Sequence, residues 1–163
     1  TAELFLNTDE NYHCDVSGNE SIITAKSIRF QFNKWKHLLP QALIIRTLPN
    51  SADKQFLQFN ESPPPFFTNE ALMYIHELGI EHIIVDLPSV DRMSDNGILG
   101  NHRIFWGDGL NPNCKVNPNS EKTITELVYI KNSIEDGFYF LNIQIPHFVC
   151  DAAPSRPLLF KPI

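Results

Sequence analysis

The sequence predicts an α/β domain built around a mixed sheet, and three observations carry that expectation. Ile83-Ile84-Val85 is a β-branched apolar run without polar alternation, which suits a strand covered on both faces. Strand-like runs alternate with two stretches of helical periodicity, residues 25–38 and 68–78. Two further runs, residues 124–130 and 138–145, flank a turn at 132–137 and read as an antiparallel hairpin.

Residues 79–106 organise the rest. Asp86-Leu87-Pro88-Ser89 ends the buried strand, because proline has no amide proton for a ladder. A polar loop and a short helix follow. Asp91, Asp95 and His102 crowd the region past the strand's carboxyl end, where ligands sit in open α/β sheets.

The elements follow in order. Ala2-Glu3-Leu4-Phe5-Leu6 reads as a strand, and residues 7–19 as a polar loop carrying His13 and Cys14. Adjacent residues rarely point at one ion, so His13 and Cys14 are read as structural or solvent-exposed. Thr24 is the expected N-cap of a helix over residues 25–38, with Ile28, Phe32, Trp35 and Leu39 on one face. Its basic residues Lys26, Arg29, Lys34 and Lys36 read as a solvated face. Pro40 stops this helix, and residues 42–47 form a buried strand. Residues 51–67, with Pro63-Pro64-Pro65-Phe66-Phe67, are a fixed, packed connection suited to a lid. Thr68 caps a second helix whose Ala71, Leu72, Ile75 and Leu78 share a face and which Gly79 closes. His76 near that end is favourable as a helix C-terminal cation. Residues 107–123 are a surface excursion. Glu126 falls within the strand 124–130. Pro146 ends the second hairpin strand, residues 151–157 turn, and Leu158-Leu159-Phe160 is a last short strand.

At 163 residues the chain reads as one domain, residues 1–163, with room for a real core. A formal charge of -6 argues against general affinity for nucleic acid or an anionic membrane. No apolar run approaches the roughly 20 residues of a membrane span, and no signal peptide is visible. Cys14, Cys114 and Cys150 are far apart and odd in number, which favours free thiols in a reducing, cytoplasmic compartment. The sequence carries no dinucleotide or NTP phosphate loop, no GxSxG elbow and no HExxH. What remains is an imidazole and a carboxylate on formed elements, His102 and Glu126, which suit a divalent metal such as zinc or manganese.

An ordered series of motifs sharpens this. Residues 79–92 are followed by His102-Arg103, Ile124-Thr125-Glu126, Asp136-Gly137-Phe138-Tyr139 and Asp151-Ala152-Ala153-Pro154-Ser155-Arg156-Pro157. The series resembles the C-terminal two-thirds of the cyclase family that includes bacterial kynurenine formamidase, over residues 43–160. The resemblance implies a cyclase-like β/β/α fold, metal-dependent hydrolysis of a small amide, lactone or ester, and a homo-oligomer. It implies that His102 and Glu126 are metal ligands and that Ser89 and Asp91 shape the site. Asp151 and Arg156 match the C-terminal turn, where an Asx turn with an ion pair accounts for them equally well. The family's His-x-Gly-Thr-His-x-Asp motif has no counterpart here. Ser17-Gly18-Asn19-Glu20 is the nearest stretch and lacks both histidines. The expectation is a domain incomplete at its N-terminus, whose catalytic histidine lies in the absent motif. The alternative is a non-catalytic cyclase-like module with a binding or oligomerisation role.

Overall fold

The computed structural model describes residues 1–5, 8–16, 20–59 and 62–163. Leu6 of the expected first strand, and Ser17, Gly18 and Asn19 of the motif-like stretch, lie outside the described residues. The chain forms two compact units, Thr1–Lys131 and Asn132–Ile163.

The first unit centres on β4 (His82–Val85), whose Ile83 and Val85 are fully buried. Both neighbours, β2 (Ala42–Ile45) and β5 (Thr123–Thr125), run parallel to it, Ile44 opposite Ile84 and Ile124 opposite Ile83. Successive side chains of β4 point to opposite faces and Ile83, Ile84 and Val85 are all buried, so the strand is covered on both faces, which explains its unbroken apolar pattern. A second parallel pair joins β1 (Ile22–Ile23) to β3 (Phe66–Phe67), all four side chains buried. Three α-helices, α1 (Ala25–Phe32), α2 (Asn69–Glu77) and α3 (Gly100–Trp106), occur among the described residues, with α2 packed against α1 and α3. Ala71, Leu72 and Ile75 of α2 meet Ile104 and Phe105 of α3 in one core with Ile83, Val85, Leu87 and Val90.

Both expected caps are present. Thr24 accepts from the Ser27 N–H, and Thr68 from the Ala71 N–H. Thr68 also donates its hydroxyl proton to Glu10 at 2.7 Å, and the same carboxylate accepts from the N–H groups of Ala25 and Lys26. Glu10 thus caps α1 from fifteen residues away. Thr68→Ala should therefore cost about 1–2 kcal/mol, the upper range for a lost cap, read as a lower urea midpoint with unchanged slope. An unchanged midpoint would remove Thr68 from the framework.

Several expectations need correction. Ala2 and Phe5 make only single bridges, to Thr47 and Ile22, instead of a strand. Helix α1 stops at Phe32; a separate 3-10 turn spans Lys36–Leu38, and Leu39 is exposed in a left-handed conformation. The residue before a proline is disfavoured in the α region, so the turn breaks ahead of Pro40. The connection 51–67 is unevenly packed: Phe66 and Phe67 at its end are buried, whereas Phe56 and Leu57 are exposed. Strand β5 is three residues long, so Glu126 follows it directly and does not sit mid-strand.

The second unit consists of an antiparallel pair, β6 (Phe140–Gln144) and β7 (Arg156–Phe160), with Phe140 opposite Phe160. The expected hairpin between residues 124–130 and 138–145 is absent, since β5 pairs with β4 and β6 with β7. Arg156 and Pro157 belong to β7 and not to the turn before it. No helix among the described residues is long and apolar enough to cross a membrane.

Candidate functional site

Parallel strands deliver their carboxyl ends to one side of the sheet, and the polar residues gather there. The chain leaves β4 through Asp86 and Leu87, and the extension after β5 follows it. Val128 N–H donates to Val85 O and Leu127 N–H to Leu87 O, with Leu127 in a left-handed conformation. Glu126 lies between the end of β5 and these two bonds, its Oε1 accepting from Val90 N–H at 3.0 Å. The backbone beyond Val90 then places Asp91 beneath the first turn of α3.

Asp91 is the hub. It is 1% exposed, and its carboxylate takes four hydrogen bonds among the described residues. Oδ1 accepts from the Tyr12 hydroxyl at 3.1 Å and Asn101 N–H at 2.7 Å; Oδ2 accepts from His102 N–H at 3.2 Å and His102 Nδ1 at 2.6 Å. These four bonds use the lone pairs of both oxygens. Burial disfavours the carboxylate, yet the hydrogen bonds from the His102 ring and Asn101 N–H outweigh it and hold its pKa below the ordinary value.

A carboxylate only accepts, so His102 presents Nδ1–H to Asp91 and its other nitrogen faces away. Nε2 lies 3.6 Å from Glu126 Oε1, and the ring stands beside Trp106 with centroids 5.1 Å apart. Burial pulls the His102 pKa down, but the Asp91 bond and the charges of Asp91, Glu126 and Asp95 carry it above its ordinary value. Burial pushes Glu126 up, against the opposing charge of His102. The arrangement is a carboxylate–imidazole–carboxylate line, with Asp91 on His102 Nδ1 and Glu126 beside Nε2.

A second group lies alongside. Donor atoms of His13, Asp91 and Asp95 lie within 4.8 Å of one another, so the three could hold a metal ion. Their hydrogen bonds oppose it. Asn101 Nδ2 donates to Phe67 O and Val90 O, which turns its Oδ1 to Asn69 Nδ2 at 2.8 Å. The remaining Asn69 amide proton then meets His13 Nδ1 at 3.1 Å. His13 Nδ1 is therefore an acceptor, and the neutral ring carries its proton on Nε2. That nitrogen is buried, makes no hydrogen bond among the described residues, and lies 3.6 Å from Asp95 Oδ2. Asp95 in turn accepts from Gly97 N–H at 2.9 Å and Leu99 N–H at 2.6 Å, shaping the entry to α3. Gly100 is required at the start of α3, because a Cβ there would enter the His13 ring. The His13 side chain is only 5% exposed, which excludes its solvent-exposed reading.

Sequence reasoning singled out His102 and Glu126, and the fold brings them together. It placed Asp91 and Asp95 in the same region, and both are buried there. It missed Tyr12, Asn69 and Asn101, whose bonds cross 79, 56 and 32 residues of chain. Asp151 and Arg156 belong to the second unit. There Asp151 is exposed and accepts from Ala152 N–H and Cys150 Sγ, which lower its pKa.

No protein-family model and no curated protein matches the chain. Among solved structures it is similar to that of a potential metal-dependent hydrolase with cyclase activity, with a TM-score of 0.52 and 20% identity over 91% of this chain. The chain spans 64% of that structure's chain. At this identity the likeness establishes the fold: mixed α/β, cyclase-like, with parallel and antiparallel sheets.

Proposed function

We propose that this chain carries part of the site of a metal-dependent hydrolase of the cyclase or formamidase type, acting on a small amide, lactone or ester. The observation that carries the reading is His102. Its Nδ1 is tied to an ionised, buried Asp91, so Nε2 is the free nitrogen, 3.6 Å from Glu126. Metal-binding histidines are commonly oriented this way, by a carboxylate on the other ring nitrogen.

The residues present fit a zinc or manganese ion: one imidazole nitrogen and one carboxylate held side by side, with a Glu126 that burial makes reluctant to ionise without a cation nearby. A bound ion would supply Lewis-acid polarisation of the substrate carbonyl and a lowered pKa for attacking water. The chain's own residues do the rest. Asp91 sets the His102 tautomer, Val90 N–H and Ser89 orient Glu126, and Trp106 walls one side of the imidazole. Two donors are half of a four-coordinate set. The resembled family completes it from the His-x-Gly-Thr-His-x-Asp motif.

Zinc and manganese titrations of the wild type, His102→Ala and Glu126→Gln test the reading. Either substitution should weaken binding at least tenfold, the scale on which altered ligands and their supports act. Equal affinity in all three proteins would refute the assignment. Turnover of a small amide or aryl ester, lost in His102→Ala, would separate the enzyme from the non-catalytic module. The module reading is favoured by one observation, that the motif is missing from these residues. Under either reading we expect a homo-oligomer in a cytoplasmic setting. A two-stranded sheet is marginal alone, and Phe140 and Phe160 of β6 and β7 are exposed. A monomer by light scattering would refute the oligomer.

A further inference from the structure

We propose that Tyr12 is a positioning residue of this site: its hydroxyl fixes the Asp91 carboxylate so that Asp91 holds His102 by Nδ1 and leaves Nε2 facing Glu126. The proposal rests on the reading that His102 contributes a metal donor. Tyr12 lies in the N-terminal loop, which the sequence marks only as polar.

Three observations support it. The hydroxyl accepts from Arg92 N–H at 2.8 Å and lies 3.1 Å from Asp91 Oδ1, so its single proton is directed at the carboxylate. The ring is wedged, edge-on to the fully buried Phe66 at 4.9 Å and beside His13 at 4.0 Å. The loop is tied down on either side of the two helix starts: Glu10 binds the N-terminus of α1, Asn11 O accepts from Asn69 N–H, and Glu70 accepts from Asn11 N–H at 2.8 Å. Tyr12 is thus a rigid donor and not a passing contact.

The physical role follows from geometry. A carboxylate can swing about its last bond, and the two His102 donors occupy only Oδ2. Tyr12 and Asn101 N–H hold Oδ1 from the other side. With Oδ1 fixed, Oδ2 stays in line with Nδ1–H, and the imidazole keeps one tautomer. Without the hydroxyl, Asp91 gains freedom to turn, and the Nε2–H tautomer, which cannot bind a metal at that nitrogen, becomes accessible.

Tyr12→Phe keeps the ring packing and removes the hydroxyl. In the metal-free protein, at a pH above the raised folded value of His102 where the ring is neutral, the nitrogen-15 spectrum of that ring should change from a single Nδ1–H tautomer to a mixture, and zinc affinity should fall about tenfold. A merely structural role would lower stability but leave the ring tautomer alone. A single unchanged tautomer with wild-type zinc affinity would overturn the proposal. Should Tyr12→Phe fail to fold, 3,5-difluorotyrosine placed at position 12 retains the hydroxyl and makes it a stronger donor. The His102 Nδ1 signal should then shift, and an unshifted signal counts against Tyr12. His102→Ala separates the two ideas. Zinc affinity of His102→Ala equal to the wild type sinks the metal reading, whereas the His102 ring spectrum of Tyr12→Phe still decides the role of Tyr12.

Discussion

Asp91→Asn is expected to lower stability by about 3–5 kcal/mol, the range for removing one partner of a buried, charge-assisted network, and to abolish metal binding at His102. All four groups around the carboxylate are donors. An asparagine must set its own amide protons against two of them. If the amide nitrogen faces His102, the ring can respond only by moving its proton to Nε2, which closes the nitrogen aimed at Glu126. If it faces Tyr12 and Asn101, the Asn101 N–H, on a residue with no exposed surface, loses its acceptor. A buried donor left unsatisfied costs about 1–3 kcal/mol. Chemical unfolding and a zinc titration read the two effects separately, and a variant that keeps wild-type stability and affinity would displace Asp91 from the centre of the site.

The pH dependence of the metal-free protein follows from the same pair. The Asp91 pKa is depressed in the fold, so its contribution is present above the unfolded value near 3.9 and is lost as pH falls through the folded value. The His102 pKa is raised, so its contribution is fully present below the unfolded value near 6.5 and is lost as pH rises through the folded value. Between about pH 4 and 6.5 both contributions are in place. In Asp91→Asn the fall on the alkaline side should flatten, because the partner that raises His102 is gone.

How much of this was legible in the sequence depends on how local each feature is. Strand β4 and the Thr24 and Thr68 caps were readable, because an apolar β-branched run and a hydroxyl three residues ahead of its N–H partner are local patterns. The length of α1 was not. Ile28, Phe32, Trp35 and Leu39 keep helical spacing, yet Leu39 turns left-handed and ends 80% exposed. Strand partners were not readable either. Residues 124–130 and 138–145 looked like a hairpin because they are neighbours, but apolar alternation does not encode which strand lies alongside. The buried parallel β4 was available to β5. In the site, His102 and Glu126 stood out as ligand types, His102 on α3 and Glu126 directly after β5. Tyr12 and Asn101 did not, because their roles exist only once the chain has brought Asp91 to them.

The other large effect is expected at Lys54, far from any sequence motif. The 3-10 turn Ala52–Phe56 is otherwise exposed, but the Lys54 side chain is 9% exposed and reaches Asp86, which is 1% exposed. Its ammonium uses all three protons: Asp86 Oδ2 at 2.6 Å, Thr47 Oγ1 at 2.6 Å and Thr47 O at 2.9 Å. Asp86 also accepts from Thr47 N–H and Oγ1–H, so the three residues form one closed network just beyond β2 and β4. Lys54→Met keeps the length of the stem and removes the charge. The Asp86 carboxylate is then buried without a cation, and the expected loss is about 3–5 kcal/mol. The turn loses an inward anchor as well, so limited proteolysis should cut residues 52–57 faster than in the wild type. A surface ion pair would be worth under about 1 kcal/mol, so a Lys54→Met variant within that margin, with unchanged proteolysis, would show that water reaches Asp86 in place of the lysine. The result bears on the site as well, since Asp86 opens the segment that runs from β4 to Asp91, and slackening there should raise the mobility of Val90 and Glu126 before it reaches His102.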